Sequence, residues 1–248
     1  MNEKYTVETC FSPALFPYRM TTENYVVVIV DILRATTSVN AAFDNGVEAI
    51  IPVAEVEKAR KYKHEGFLVA SEREGKTLDF ADFGNSAFNF MTPEVRGKTL
   101  VYSTTNGTQA IEMAVSNGAD AVIGSFNNLE ALARWIEKQE QNVLILCSGF
   151  KNKFCIEDAF FAGALAERLL DNHSRYASVC DSVTVSLDMW RQGKGNMLQY
   201  IEKAAHRERL KQRQQDDVLQ YSFTLNNVSA VPFYDKATGR LYDANMNK

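Results

Sequence analysis

The chain has 248 residues, enough for one large domain or two small ones with a sizeable core. Hydrophobic residues make up 46% and charged residues 23%, the balance of an ordinary globular protein. The formal net charge of −4 argues against a nucleic-acid partner, and the apolar runs are too short to span a bilayer. The N-terminus lacks the apolar segment of a signal peptide, which favours a cytoplasmic location, where the four cysteines are expected to be free thiols.

Apolar runs rich in β-branched residues alternate with amphipathic segments along most of the chain. The predicted strands are Tyr25–Val30, Ala49–Val53, Phe67–Ala70, Thr99–Tyr102, Ala121–Gly124, Val143–Leu146 and a late Ser229–Pro232. The predicted helices are Thr36–Asp44, Glu55–His64, Thr108–Ser116, Leu129–Lys138, Ile156–Leu170 and a late Ile201–Arg213. The stretches Val183–Arg191 and Met197–Arg213 are amphipathic and rich in charges of both signs. This alternation predicts an α/β fold with a mainly parallel sheet and helices on both faces.

The charge-laced C-terminal part differs in character from the rest. We expect residues 1–180 to form the α/β body and residues 181–248 to pack on it, with one continuous domain as the alternative. The aromatic-rich segment Leu78–Met91 and the late helices are candidates for burial against a second subunit, so a homodimer is expected.

Two stretches of the chain repeat one pattern. The pairs Asn45-Gly46 and Asn117-Gly118 lie 118 − 46 = 72 residues apart, and Thr36 matches Thr108 at the same offset. Each copy consists of a buried strand, a hydroxyl-rich turn, a helix that ends at Asn-Gly, and a second strand and helix. Such turns offer hydroxyls and backbone amides to an anion, so the repeat predicts two anion-holding turns facing one pocket.

Asp31 and Arg34 follow the first strand of the first copy. Asp31 could hold a metal or attack a phosphoryl group, or it could simply cap the turn. Arg34 is well placed to bind a phosphate or sulfonate, the alternative being a surface ion pair. At the 72-residue offset these residues correspond to Ser103 and Asn106, so the first copy carries charge and the second carries hydroxyls and amides.

The second turn, Thr104-Thr105-Asn106-Gly107-Thr108, is the most specific local signal. Helix capping explains one threonine but not four hydroxyl or amide side chains in a row. The spacing is not that of a phosphate-binding loop for nucleotides, so ATP is not expected. We predict that this turn holds the anionic groups of a substrate.

Further charged residues stand at the ends of other predicted strands. Glu72 could be a metal ligand and Arg73 an anion clamp, although a charged turn explains both. Glu157 and Asp158 open a helix, where they suit either the helix dipole or Mg²⁺. Cys147 is better explained by packing than as a nucleophile. The histidines, His64, His173 and His206, show no metal-binding spacing, and the first two are expected at the surface.

Together these motifs resemble the 2-phosphosulfolactate phosphatase (ComB-like) family. The matching segments run over most of the chain in family order: Val30-Asp31-Ile32-Leu33-Arg34-Ala35-Thr36-Thr37, Glu72-Arg73-Glu74-Gly75, Gly84-Asn85-Ser86, Thr104-Thr105-Asn106-Gly107-Thr108, Cys147-Ser148-Gly149, Glu157-Asp158 and His206-x-x-x-Leu210. The chain departs from the family pattern at Ser71, where glycine is usual, and around the late histidine.

The resemblance implies a Mg²⁺-dependent hydrolysis of (R)-2-phospho-3-sulfolactate to 3-sulfolactate and phosphate, a step toward coenzyme M. It implies Asp31 and Arg34 as catalytic residues and Asp31, Glu72, Glu157 and Asp158 as metal ligands. The expected substrate-binding residues are Thr36, Thr37, Arg73, Asn85, Ser86, Thr104, Thr105, Asn106, Gly107 and Thr108. A phosphatase of another small phosphorylated acid and a non-catalytic protein that binds small anions are the alternatives.

Overall fold

The computed structural model describes residues 5–171, 175–212, 216 and 218–246. The strands in chain order are β1 Tyr5–Cys10, β2 Tyr25–Val30, β3 Ala49–Pro52, β4 Leu68–Arg73, β5 Lys76–Thr77, β6 Thr99–Ser103, β7 Asp120–Gly124, β8 Asn142–Cys147, β9 Tyr176–Ser178, β10 Pro232–Asp235 and β11 Arg240–Asp243. The α-helices are α1 Ala35–Asp44, α2 Val56–His64, α3 Gly107–Ser116, α4 Leu129–Gln139, α5 Ile156–Leu169, α6 Asp181–Gly193, α7 Met197–Ile201, α8 Ala205–Gln212 and α9 Leu219–Ser222.

Over the described residues the strands form one mixed sheet in the order β5-β4-β6-β3-β11-β10-β7-β2-β8-β1-β9. Apolar residues alternate between its faces along β2: Val26 and Val28 pack in the cluster that contains residues of α4, α5 and α6, whereas Val27 and Ile29 pack with α1 and α3. The predicted α/β fold with a mostly parallel sheet and helices on both faces is therefore confirmed.

The sheet order shows how the two sequence repeats combine. Repeat 1 is β2-α1-β3-α2-β4 and repeat 2 is β6-α3-β7-α4-β8. The first strand of each repeat lies between the second and third strands of the other, giving the groups β4-β6-β3 and β7-β2-β8. Val27 of β2 pairs with Ala121 of β7. The residues that correspond to them at the 72-residue offset, Thr99 of β6 and Ala49 of β3, also pair with each other. Helices α1 and α3 keep the same offset at both ends. The repeats are thus intertwined rather than side by side.

The C-terminal hairpin β10-β11 joins the two groups. Its strands pair antiparallel with each other, with β7 and with β3, so the two groups run in opposite directions. The strand predicted at Ser229–Pro232 is wrong, because strand pairing begins only at Pro232 and β10 runs from there to Asp235. A turn that contains Gly239 then leads into β11, which was not predicted. The division at residue 180 stays a prediction about domains, but the C-terminal part contributes strands to the same sheet.

Two further expectations change in the structure. The start of the late helix predicted over Ile201–Arg213 is wrong: Ile201 ends α7, residues 202–204 follow, and α8 begins at Ala205. The predicted end, Arg213, lies outside the described residues. Of the three residues between the two helices, Ala204 is buried, whereas Glu202 and Lys203 are exposed. Strand β1 was not predicted because it carries Glu8, whose buried carboxylate accepts hydrogen bonds from the amides of Met20 and Thr21.

All four cysteines lie in described segments and none forms a disulfide, as predicted. In the described part of the chain, no helix is long and apolar enough to cross a membrane. The segment Leu78–Met91 presents Phe88 and Met91 at the surface, and a homodimer stays a prediction.

Candidate functional site

The two turns that the sequence predicts to hold anions lie in direct contact. Gly107 opens α3 so close to the first turn that a Cβ added to it would lie 2.6 Å from the Ala35 Cβ and 3.2 Å from Asp31 Oδ2. Both turns line one cleft, with Asp31, Leu33 and Arg34 on one side and Thr104, Thr105 and Asn106 on the other. Other lining residues are Glu72, Glu74, Gly75, Asn85, Phe150, His206 and Leu210. The tertiary fold therefore brings the charged and the hydroxyl-rich copies together.

Asp31 is held immediately beyond β2 by its own turn. Its amide donates to Thr36 Oγ1 at 3.1 Å, and its Oδ1 accepts from the Ala35 amide at 3.3 Å. The pKa of Asp31 is raised from 3.8 to about 6, mainly by burial. This net value includes the opposing effects of His206 and the Ala35 amide, which lower the pKa, and the smaller effects of Glu72 and Glu157, which raise it. A buried carboxylate with other carboxylates nearby is the electrostatic setting in which a cation would be stabilised.

Glu157 lies at the start of α5 and is almost fully buried. Its Oε1 lies 2.7 Å from His206 Nδ1, and no described residue makes a hydrogen bond to its Oε2. Cys155 Sγ, a Glu157 oxygen and a His206 nitrogen lie within 4.8 Å of one another. Burial raises the pKa of the Cys155 thiol, so the hard oxygen atoms are the more suitable ligands for Mg²⁺.

The other two predicted metal ligands already have protein partners. Asp158 accepts from the Ile32 amide through Oδ1 and from the Gly149 amide through Oδ2, both at 3.0 Å. Burial, followed by the charges of Glu157 and Asp31, raises the pKa of Asp158 well above its usual range. Glu72 Oε1 accepts from the Gly75 amide, although Glu72 still lines the cleft. Asp158 acts in the structure as a brace between the segments that follow β2 and β8.

Arg34, which precedes α1, is mostly buried and lines the cleft, where its charge can meet an anion. Arg73 is placed differently from the predicted anion clamp. Its guanidinium donates to the carbonyl oxygens of Glu72, Ala54 and Ser103 and to Ser103 Oγ. Burial lowers its pKa, and it is not among the cleft-lining residues. Arg73 thus ties the end of β4 to β6 and to the segment after β3.

Several predicted substrate-binding hydroxyls shape the turns instead of lining the cleft. Thr37 Oγ1 donates to the Ile32 carbonyl at 2.8 Å, and Thr108 Oγ1 donates to the Thr104 carbonyl at 2.9 Å. The Ser86 amide donates to Asn89 Oδ1 in a short turn. Thr36, described above, accepts from Asp31. These contacts fix the backbone that presents Asp31 and Thr104.

Asn85 does reach the cleft. Its Oδ1 accepts a hydrogen bond from the Tyr102 hydroxyl, and the Ala35 carbonyl oxygen lies 3.3 Å from the same hydroxyl. Burial raises the pKa of Tyr102 well above its usual range, and the Asp31 charge adds to this effect. The protonated phenol is thereby kept as a donor that orients Asn85.

His206 and Phe150 also line the cleft. The sequence pointed to His206 only through the family resemblance and gave no sign of Phe150. His206 and Leu210 are four residues apart, so they lie on one face of α8, which faces the cleft. His64 is exposed as expected, and His173 lies outside the described residues. Cys147 is fully buried, and burial raises its pKa, which fits packing rather than nucleophilic attack.

A second and larger concavity, of about 690 Å³, lies between the start of α2 and α3. Glu55, Lys58 and Glu112 line it, and Asp31, Glu157 and His206 do not. The smaller cleft of about 430 Å³ holds the converging carboxylates and Arg34, and we therefore assign the chemistry to it.

Comparison with known proteins identifies the family of the chain. Residues 10–237 match the family model described as 2-phosphosulpholactate phosphatase. A probable 2-phosphosulfolactate phosphatase of Caldanaerobacter subterraneus is 30% identical over 210 residues, which is 83% of this chain and 86% of the relative. The Clostridium novyi relative of the same name is 32% identical over 87% of this chain and 92% of its own length. The Thermotoga petrophila relative, also so named, is 38% identical over 58% of this chain and 63% of its own length. The chain belongs to the 2-phosphosulfolactate phosphatase family.

Proposed function

We propose that the protein is a Mg²⁺-dependent phosphatase that hydrolyses (R)-2-phospho-3-sulfolactate to 3-sulfolactate and phosphate. The observation that carries the proposal is the meeting of Asp31 and Arg34 with the Thr104–Asn106 turn in one cleft. Family membership supports the substrate class. The proposal includes a cytoplasmic location and a step of the coenzyme M type, as the resemblance implies.

The residues present fit a magnesium ion. Asp31 and Glu157 are buried carboxylates, the charge of Glu157 raises the pKa of Asp31, and Glu157 Oε2 has no hydrogen-bond partner among the described residues. Mg²⁺ binds one or two carboxylates together with water and phosphate oxygens. Asp31 and Glu157 would hold the ion, with Glu72 as a further ligand. When bound, it would neutralise charge on the phosphoryl oxygens.

The chain's own groups then have distinct tasks. Arg34 binds phosphoryl oxygens through its guanidinium, and the Thr104–Asn106 turn supplies hydroxyl and amide donors. His206, held by Glu157, can exchange a proton with the leaving oxygen. Asn85 and Phe150 narrow the cleft and limit access of bulk water.

Phosphate release from a panel of esters tests this function. With Mg²⁺, we expect the highest kcat/KM for 2-phospho-3-sulfolactate, ahead of phosphoglycolate and glycerol 3-phosphate, and no turnover with EDTA. Arg34→Gln should lower kcat/KM by about 100-fold because a charged contact to the reacting group is lost. Arg191→Gln, an exposed change on α6, is the matched control and should leave turnover unchanged.

Each alternative outcome has a definite meaning. Preference for phosphoglycolate would show a phosphatase of another small acid. Binding of small anions without release of phosphate from any ester would show a non-catalytic anion-binding protein. Acid quenching during turnover with ³²P-labelled ester would reveal an Asp31 phosphoenzyme, and its absence would indicate direct attack by water.

A further inference from the structure

A second pocket adjoins the cleft on the far side of the Thr104–Asn106 turn. Thr105 and Asn106 line both cavities. We call the second cavity the side pocket; its other polar lining residues are Gln109, Ser148, Lys151 and Asn152. None of its described lining residues carries a carboxylate, whereas Asp31, Glu72 and Glu74 line the cleft. The side pocket thus differs from the cleft in the charge of its lining residues, although Glu74 pairs with Lys151 at the rim.

Ser148 is the first sign that this pocket takes a ligand. It follows β8 directly and is 1% exposed, and its amide is fixed by a 2.7 Å hydrogen bond to the Val30 carbonyl. Its hydroxyl has no hydrogen-bond partner among the described residues. A buried hydroxyl is normally paired, so an unpaired one at the wall of a polar pocket indicates a missing acceptor.

Lys151 provides the positive charge. Its amide lies 3.4 Å from Asn106 Oδ1, which keeps the lysine beside the turn. Its ammonium group lies 2.8 Å from a Glu74 oxygen, and both side chains are more than half exposed. Exposed ion pairs contribute little to stability, so Lys151 can exchange Glu74 for an anionic ligand at small cost.

The start of α3 adds to the attraction for an anion. Asn106 precedes this helix, and its side chain does not cap the first-turn amides. Gln109, in that first turn, lines the side pocket. The positive end of the ten-residue helix therefore lies beside Ser148 and Lys151.

We propose that the side pocket binds the sulfonate group of the substrate while the cleft holds the phosphate. This inference rests on the proposed function. Ser148, Lys151 and the nearby carboxamides are separate, single-point donors, which suit the three spread oxygens of a sulfonate. A planar carboxylate is better matched by a guanidinium fork such as that of Arg34. Lys151 and Ser148 are then specificity-determining residues.

Two substrates that differ only in the sulfonate test the proposal: 2-phospho-3-sulfolactate and 2-phospholactate. The ratio of their kcat/KM values measures recognition of the sulfonate. We expect Lys151→Gln to lower this ratio about tenfold and Ser148→Ala about threefold, from the loss of a charged and a neutral hydrogen bond respectively. Lys153→Gln makes the same change of charge in the same turn without touching the side pocket, and should leave the ratio unchanged.

Equal losses on both substrates, or no loss in either variant, would overturn the proposal. Calorimetric titration with 3-sulfolactate and with lactate gives a readout that does not need turnover. If the wild-type protein hydrolysed neither ester, the proposed function would fail, and the titration would still decide about the pocket. Weaker sulfolactate binding in Lys151→Gln but not in Lys153→Gln would support the pocket, and equal binding in all three proteins would refute it.

Discussion

Replacing Asp31 by asparagine should stabilise the metal-free protein while abolishing its activity. One pKa unit corresponds to about 1.4 kcal/mol, so the rise of the Asp31 pKa from 3.8 to about 6 makes its ionisation cost about 3 kcal/mol in the folded state. Asparagine keeps the Oδ1 that accepts from Ala35 but carries no charge. The stabilisation should approach this figure, an upper estimate, near pH 7.5.

The dependence on pH has a definite sign. Below pH 3.8 the Asp31 carboxyl is protonated in both the folded and unfolded states, and it costs nothing. As the pH rises from 3.8 through about 6, the unfolded state loses its proton first, so wild-type stability falls relative to the variant. The free energy of unfolding of Asp31→Asn should therefore exceed that of the wild type at pH 5 by about half as much as it does at pH 7.5.

Urea unfolding in the presence of EDTA measures the difference in free energy of unfolding between Asp31→Asn and the wild type at pH 5 and at pH 7.5. Adding Mg²⁺ at pH 7.5 should stabilise the wild type and leave Asp31→Asn almost unchanged. Asp188→Asn, an exposed change on α6, is the control and should shift stability by less than about 0.5 kcal/mol at either pH. The reasoning fails if Asp31→Asn is no more stable than the wild type at pH 7.5, or if its advantage does not grow with pH.

Two further substitutions test how the turns are held. Gly107→Ala should lower kcat/KM about tenfold and destabilise the protein by about 1–3 kcal/mol, because the new Cβ would press on Ala35 and Asp31. Gly195→Ala, whose Cβ would have no neighbour within 4 Å, should change neither, and unchanged kinetics of Gly107→Ala would contradict the close contact. Arg73→Lys should lower the free energy of unfolding by about 2 kcal/mol, since lysine cannot replace the several guanidinium hydrogen bonds. If it instead raises KM selectively at unchanged stability, Arg73 binds substrate.

Local sequence signals were sufficient for the strands and helices that form the repeats. Strand β2 was predicted with its observed bounds, and the Asn-Gly pairs correctly ended α1 and α3. The signals failed where burial depends on distant partners. Strand β1 carries Glu8 in a buried position that only the Met20 and Thr21 amides make tolerable. The last hairpin gains its place from β3 and β7, which are far away in the chain.

The same division holds for the roles of the charged residues. The sequence predicted Asp31 and Arg34 as candidates at a strand end, and both line the cleft. It could not show whether Arg73 binds an anion or ties segments together, because that depends on which oxygens of β6 and of the segment after β3 lie within reach. Asp158 is a similar case. One of its two backbone partners, Ile32, is 126 residues away in the chain, and the other, Gly149, is nine residues away across a loop.

The sequence by itself determined that two copies of a strand–turn–helix unit exist and that one copy carries charge and the other hydroxyls and amides. Such features depend on short-range periodicity and turn chemistry. Only the tertiary structure decided that the repeats exchange their first strands and that Gly107 brings the two turns into contact beside Asp31. The physical reason is that strand pairing and close packing depend on residues far apart in the chain, about which a local pattern carries no information.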